Sequence, residues 1–169
     1  GNANPRRASW ISEAAAEGKM MMNDKSAKPV AVVTGANRGL GLETARQLAK
    51  RDIRVIITSR NPGKGEMALD KLQAEGLDVL LHPLDVTSET SVAELGAFIH
   101  SRCGRVDILV NNAGVFLDSH GSEEAASASV FTASLETLTT TLRTNLYGPL
   151  LLAQELVPLM KQQHYGRIV

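Results

Sequence analysis

The chain has 169 residues, 43% of them apolar and 21% charged, proportions of a globular chain long enough for one domain with a real core. Its formal net charge is +0, which excludes a global field drawing it to nucleic acid or an anionic membrane, and no apolar run reaches transmembrane length. The single cysteine, Cys103, cannot close an intramolecular disulfide and suits a reducing cytoplasm; its place late in a predicted helix favours burial over reactivity.

Residues 1–28 are rich in Ala, Asn, Ser and charge, with no steady apolar period. They read as a mobile leader with a short helix near residues 12–19. They hold no apolar core of signal-peptide type. Arg6 and Arg7, with no acid before Glu13, leave a transit peptide open. Met20, Met21 and Met22 lie just ahead of the first strand, and a start there would give the domain a short polar lead-in.

Val30-Ala31-Val32-Val33 opens a strand over 30–34, and a turn holding Gly35, Gly39 and Gly41 follows. A helix is predicted over 40–51, with Leu40, Ala45, Leu48 and Ala49 as its inward stripe. The near-continuous apolar run over 53–58 fits a parallel strand covered on both faces. Asn61-Pro62-Gly63 makes a turn, then a helix over 64–75 turns Met67, Ala68, Leu69 and Leu72 inward. A strand over 79–85 and a helix to about residue 102 come next. Thr87 or Ser88 caps that helix, with Val92, Leu95, Phe98 and Ile99 inward. Residues 106–110 form strand four and end in Asn111-Asn112-Ala113-Gly114. Residues 116–133 have no clear period and read as a long surface loop, a length that suggests a functional role. A helical region over 134–163 is expected to kink or divide at Pro149 near Gly148. Residues 166–169 open strand five.

This alternation implies an α/β, doubly wound parallel sheet. Ligands of such sheets bind at the carboxyl ends of the strands, where strand order reverses. The strand ends that meet there carry the glycine turn, Ser59-Arg60, Asp85-Val86 and Asn111–Gly114. A strand, a glycine turn and a helix N-terminus in that order form a phosphate cradle, because the first N–H groups of the helix are unpaired and its dipole is positive there. A tight turn with no ligand is the alternative.

The glycine spacing is T-G-x-x-x-G-x-G, at Thr34, Gly35, Gly39 and Gly41. Together with Asn111-Asn112-Ala113-Gly114, it resembles the short-chain dehydrogenase/reductase family over about residues 28–169. Asp85 and Asn145 match further positions of that family's pattern. Residues 34–41 and the Asn145-Leu146-Tyr147-Gly148-Pro149 run are most similar to carbonyl-reductase-type members. The resemblance implies a Rossmann fold binding a nicotinamide dinucleotide. The turn from Gly35 through Asn37, Arg38, Gly39 and Leu40 to Gly41 would hold the pyrophosphate. Asp85 would meet the adenine amino group beside the Val86 backbone, with a helix-capping Asp as the alternative. Asn111 would tie strand four to neighbouring backbone, while Ala113-Gly114 leaves room for the ribose; a plain β-turn is the alternative for this tetrapeptide. Asn145 would belong to the catalytic set, positioning a lysine through water, or would bond backbone freed near Pro149.

An NAD site carries an acid at the end of strand two to hold the ribose hydroxyls. That place holds Thr58-Ser59-Arg60, and Arg38 lies within the glycine turn. Two guanidiniums suit a 2′-phosphate, which predicts NADP(H) over NAD(H); solvated surface charges are the alternative. No metal site is expected. The resemblance implies a small-molecule carbonyl or alcohol substrate and hydride transfer by a Ser, a Tyr and a Lys placed after strand five. Tyr147 has Leu151 at the fourth place and Tyr165 has Val169, so neither starts Tyr-x-x-x-Lys. The run Arg167-Ile168-Val169 predicts a fragment cut through a strand, a fold incomplete at the C-terminus, inactive alone and prone to associate through the bare apolar helix. The full-length protein would be a monomer or a homo-oligomer. A non-catalytic NADP(H)-binding sensor that lost the active site is the second reading, and a protein-interaction domain the third.

Overall fold

The computed structural model describes residues 28–115 and 134–169. Both the predicted leader up to residue 27 and the predicted loop over 116–133 lie outside the described residues. Five strands form one sheet: β1 (Val30–Val33), β2 (Arg54–Ser59), β3 (Val79–Pro83), β4 (Ile108–Val110) and β5 (Arg167–Ile168). The order is β3-β2-β1-β4-β5, and every pairing is parallel. Helices α1 (Gly39–Ala49), α2 (Pro62–Ala74), α3 (Glu89–Arg102), α4 (Leu135–Leu142) and α5 (Gly148–Gln162) connect them, with a π-helical turn, Arg143–Tyr147, between α4 and α5. This is the doubly wound sheet expected from the alternation. Strand order reverses between β1 and β4, which places the crevice at their carboxyl ends.

Successive residues of β1 divide between two cores because side chains alternate across a strand. Val30 and Val32 join Leu109, Leu152 and Leu156 on one face. Ala31 and Val33 join Ala45, Ala68 and Leu72 on the other. Burial on both faces is why β1 and β2 read as continuous apolar runs. Asp107, only 2% exposed, fastens the start of the sheet. Its Oδ2 accepts from the Val30 N–H at 2.8 Å and from Arg105 Nε at 2.9 Å. Arg105 Nη2 completes a two-pronged pair at 2.6 Å to Oδ1.

Several local expectations are corrected. Leu40 is 77% exposed, because the inward positions of α1 are Gly41, Ala45 and Ala49. Met67 is 62% exposed; α2 turns Gly65, Ala68 and Leu72 to the sheet. A Cβ on Gly65 would stand 2.9 Å from Leu81 Cδ1, so that helix lies too close to the sheet for a long side chain there. The helical region divides at Gly148, beside Pro149, as expected, where a π-helical segment gives way to α5. The register shifts one turn earlier, in the π segment, and Pro149 follows among the first residues of α5, where a missing N–H costs little. Pro158 lies inside α5 without ending it. Ser88, not Thr87, caps α3, its side chain accepting from Ser91 N. Cys103 is half-buried, and burial pushes its thiol above the ordinary pKa. Among the described residues no helix is long and apolar enough to cross a membrane.

Candidate functional site

β1 must turn at Val33 without stranding buried polar groups. Thr34, 1% exposed, provides the join. Its N–H donates to Val110 O at 3.0 Å. Its hydroxyl oxygen accepts from Asn112 N at 3.0 Å and Ala113 N at 2.9 Å. Asn112 Nδ2 donates in return to Thr34 O at 2.9 Å and Gly35 O at 3.2 Å. Ala36 N donates to Thr58 O at 2.9 Å, so the ends of β1, β2 and β4 form one bonded unit.

The three glycines of the turn are needed for different reasons. Gly35 has φ +62°, and a Cβ there would stand 2.9 Å from Ala113 Cα. Gly39 has φ +56°, and among the described residues beyond its own helical neighbourhood no atom lies within 4 Å of the place a Cβ would take. It opens α1, with no side chain capping the helix. Gly41 is crowded: a Cβ would collide with Asn112 Nδ2 and lie 2.9 Å from Gly35 O.

Around this turn lies a cavity of about 490 Å³, within the roughly 300–1,000 Å³ of small-molecule and cofactor sites. Gly35, Asn37, Arg38, Gly39, Leu40 and Gly41 line it from the turn, and Arg60 from the end of β2. Asp85 and Val86 line it after β3, and Asn112, Ala113 and Gly114 after β4. Thr34, Asn111 and Asn145 do not line it. Ser59, at a strand end the sequence already places beside the ligand, lines it too, and so do Asn61, Lys64, Leu84, Thr87, Val115 and Thr144, none of which the sequence marks as a site residue. Lys64 had a readable signal: it stands three residues beyond Asn61, whose Oδ1 caps α2 by accepting from Lys64 N at 2.9 Å.

Asn111 and Asn145 each make a defined tie. Asn111 ties the end of strand four to neighbouring backbone through its main chain, its N–H donating to Val169 O at 2.7 Å, while its side-chain Oδ1 is buried without a hydrogen-bond partner among the described residues. The side-chain tie to the glycine turn belongs to the next residue, Asn112, because alternation sends adjacent side chains to opposite sides. Asn145 does not bond backbone near Pro149. Its Oδ1 accepts from Val115 N at 2.9 Å and its Nδ2 donates to Val115 O at 2.9 Å, clamping the segment after Gly114 to the π turn.

The cavity is electrically lopsided. Arg38, Arg60 and Lys64 line it, and Asp85 is the one acid among its lining residues. None of the three cations pairs with a carboxylate among the described residues. The carboxylate of Asp85 is already oriented: Oδ1 accepts from Thr87 N at 2.9 Å and Thr87 Oγ1 at 2.8 Å. Asp85 is therefore not the cap of α3, which Ser88 provides. Uncapped helix N–H groups and three cations with no carboxylate partner among the described residues suit an anionic ligand.

Comparison with known proteins points the same way. A family model described as short chain dehydrogenase matches residues 29–169. The (+)-neomenthol dehydrogenase of Arabidopsis thaliana is 38% identical over 152 residues, covering 82% of this chain and 51% of that protein. Carbonyl reductase (NADPH) 1 of Bos taurus is 38% identical over 145 residues, covering 85% of this chain and 48% of that protein. The chain thus spans about half the length of the curated relatives it matches. Among solved structures, a metagenomic short-chain oxidoreductase in complex with NADP superposes with TM-score 0.73 at 31% identity, covering 84% of this chain and 61% of that one. An actinorhodin polyketide ketoreductase with NADPH gives TM-score 0.74 at 31% identity, covering 87% and 52%.

Proposed function

The chain belongs to the short-chain dehydrogenase/reductase family, and from that premise we propose that it carries the cofactor-binding part of an NADP(H)-dependent oxidoreductase acting on a small carbonyl or alcohol. The observation that carries the cofactor choice is the meeting of Arg38, Arg60 and Lys64 on one cavity whose β2 side offers no acid. In this reading the opening residues of α1 receive the pyrophosphate through uncapped N–H groups and the helix dipole. Arg38, Arg60 and Lys64 hold the 2′-phosphate, Arg by charge-assisted and bidentate bonds and Lys as a point charge. Asp85 and the Val86 backbone receive the adenine, and Ala113 and Gly114 leave room for a ribose. Asn145 fixes Val115, which also lines the cavity. The bound dinucleotide supplies or accepts the hydride. The reductase assignment is further supported by relatives whose names specify reductases and dehydrogenases of this kind.

The test separates the phosphate from the rest of the cofactor. Loss of one charge-assisted bond costs about 1.5–3 kcal/mol, roughly ten- to a hundredfold in affinity. Arg60→Ala and Lys64→Ala should each weaken NADPH binding by a factor in or near that range and leave NADH binding within about twofold. Equal losses for both dinucleotides, or no loss for either, would contradict the assignment.

A further inference from the structure

The carboxylate of Asp85 sits on the cavity wall with unequal oxygens. Oδ1 is taken twice by one residue, by Thr87 N at 2.9 Å and Thr87 Oγ1 at 2.8 Å. Oδ2 has no partner among the described residues. The backbone of Asp85 is pinned on both sides: its N–H donates to Ser91 Oγ at 3.1 Å, and its carbonyl accepts from Ser88 N at 3.1 Å. What remains soft is the carboxylate's own rotation, a terminal torsion with a broad, two-fold profile. A main-chain donor and a hydroxyl donor on the same oxygen remove that freedom. The hydroxyl is itself held, because Thr is β-branched and stiff at χ1. Thr87 also lines the cavity. Beside it, the Val86 N–H makes no bond to described backbone.

We infer that Thr87 is a positioning residue for base selection: by occupying Asp85 Oδ1 it presents Oδ2, next to the Val86 N–H, to a base that donates at one ring position and accepts at the adjacent one. Adenine offers that pair through its 6-amino group and N1. Hypoxanthine reverses it, with a carbonyl at position 6 and a hydrogen on N1. The inference rests on the proposed adenine end of the dinucleotide site and adds the residue that sets its selectivity. Thr87 touches neither reacting atoms nor, in this arrangement, the base.

The measurement is the ratio of dissociation constants for NADPH and its hypoxanthine analogue, read from nicotinamide fluorescence on wild type, Thr87→Val, Thr87→Ser and Asp85→Ala. Wild type should prefer NADPH, and Asp85→Ala should abolish the preference. Thr87→Val keeps the side-chain shape and deletes one of two bonds on Oδ1, so the preference should fall by roughly three- to tenfold. Thr87→Ser retains the hydroxyl and should keep most of it, and it serves as the folded counterpart should the valine variant misfold. A wild type that binds NADPH without preferring it over the analogue overturns the adenine reading, and the inference with it. A preference lost in Asp85→Ala but intact in Thr87→Val overturns the role of Thr87 alone.

Discussion

Replacing Thr34 by Val tests the join beneath the cofactor cavity. The exchange keeps a β-branched residue at the turn after β1 and deletes only the hydroxyl. That hydroxyl accepts from Asn112 N and Ala113 N and donates to Val110 O at 3.3 Å. The losses are unequal. Asn112 N retains Val110 O at 3.1 Å, and Val110 O retains Thr34 N at 3.0 Å. Only the Ala113 N–H is left without an acceptor among the described residues. One orphaned buried donor costs about 1–3 kcal/mol, and the part-buried setting of Ala113 places this one in the lower half, about 1–2 kcal/mol. Against a total stability of roughly 5–15 kcal/mol that is a readable loss. Equilibrium unfolding in urea should show a lower midpoint with an unchanged slope. Amide exchange should accelerate most at Ala113, because the opening is local. A variant within about 0.5 kcal/mol of wild type, with Ala113 protection unchanged, would refute the reasoning.

Two further predictions concern the sheet. Asp107→Ala leaves the Val30 N–H without its side-chain acceptor and removes both prongs of the Arg105 pair. Breaking a buried pair from one side costs about 3–5 kcal/mol, so unfolding should need correspondingly less denaturant; a loss under about 1 kcal/mol would contradict the role assigned to Asp107. His82 has its pKa lowered by burial, which outweighs the Pro83 backbone bond and the Glu94 charge, and its ring lies 4.9 Å from that of Phe98. A lowered folded pKa means the unfolded chain binds the proton more readily. The contribution of His82 to stability is therefore whole above about pH 6.5 and is lost as pH falls through the folded value. Stability of His82→Gln should fall less steeply than wild type between neutral and acid pH, and parallel curves would rule out this assignment.

The sheet and the location of the site were legible because they rest on strong local signals. Apolar runs mark the strands, most clearly β1 and β2, which are buried on both faces, and the glycine turn with Asn111–Gly114 marks where strand order reverses. Helix phase was less legible. Hydrophobicity favoured Leu40 and Met67 for the interior, yet α2 approaches the sheet so closely that Gly65 and Ala68 take the inner positions. Asn111 and Asn112 are the same residue type in adjacent places, and only the geometry of the strand end decides which one reaches Thr34 and Gly35. The π turn escaped notice because Pro149 is the conspicuous breaker, whereas the shift in register falls just before it. Lys64 and Thr87 reach the cavity through caps and turns, Asn61 for one and Asp85 for the other, whose partners become plain only in three dimensions.

The central claim is that this cavity is built for a nicotinamide dinucleotide carrying a 2′-phosphate. Its most direct test is a pair of titrations of the wild-type chain with NADPH and with NADH at one ionic strength. With Arg38, Arg60 and Lys64 around the site, NADPH should bind at least about tenfold more tightly, and the advantage should shrink as salt is raised. NADH binding as tightly as NADPH, at low salt and high salt alike, would contradict the account.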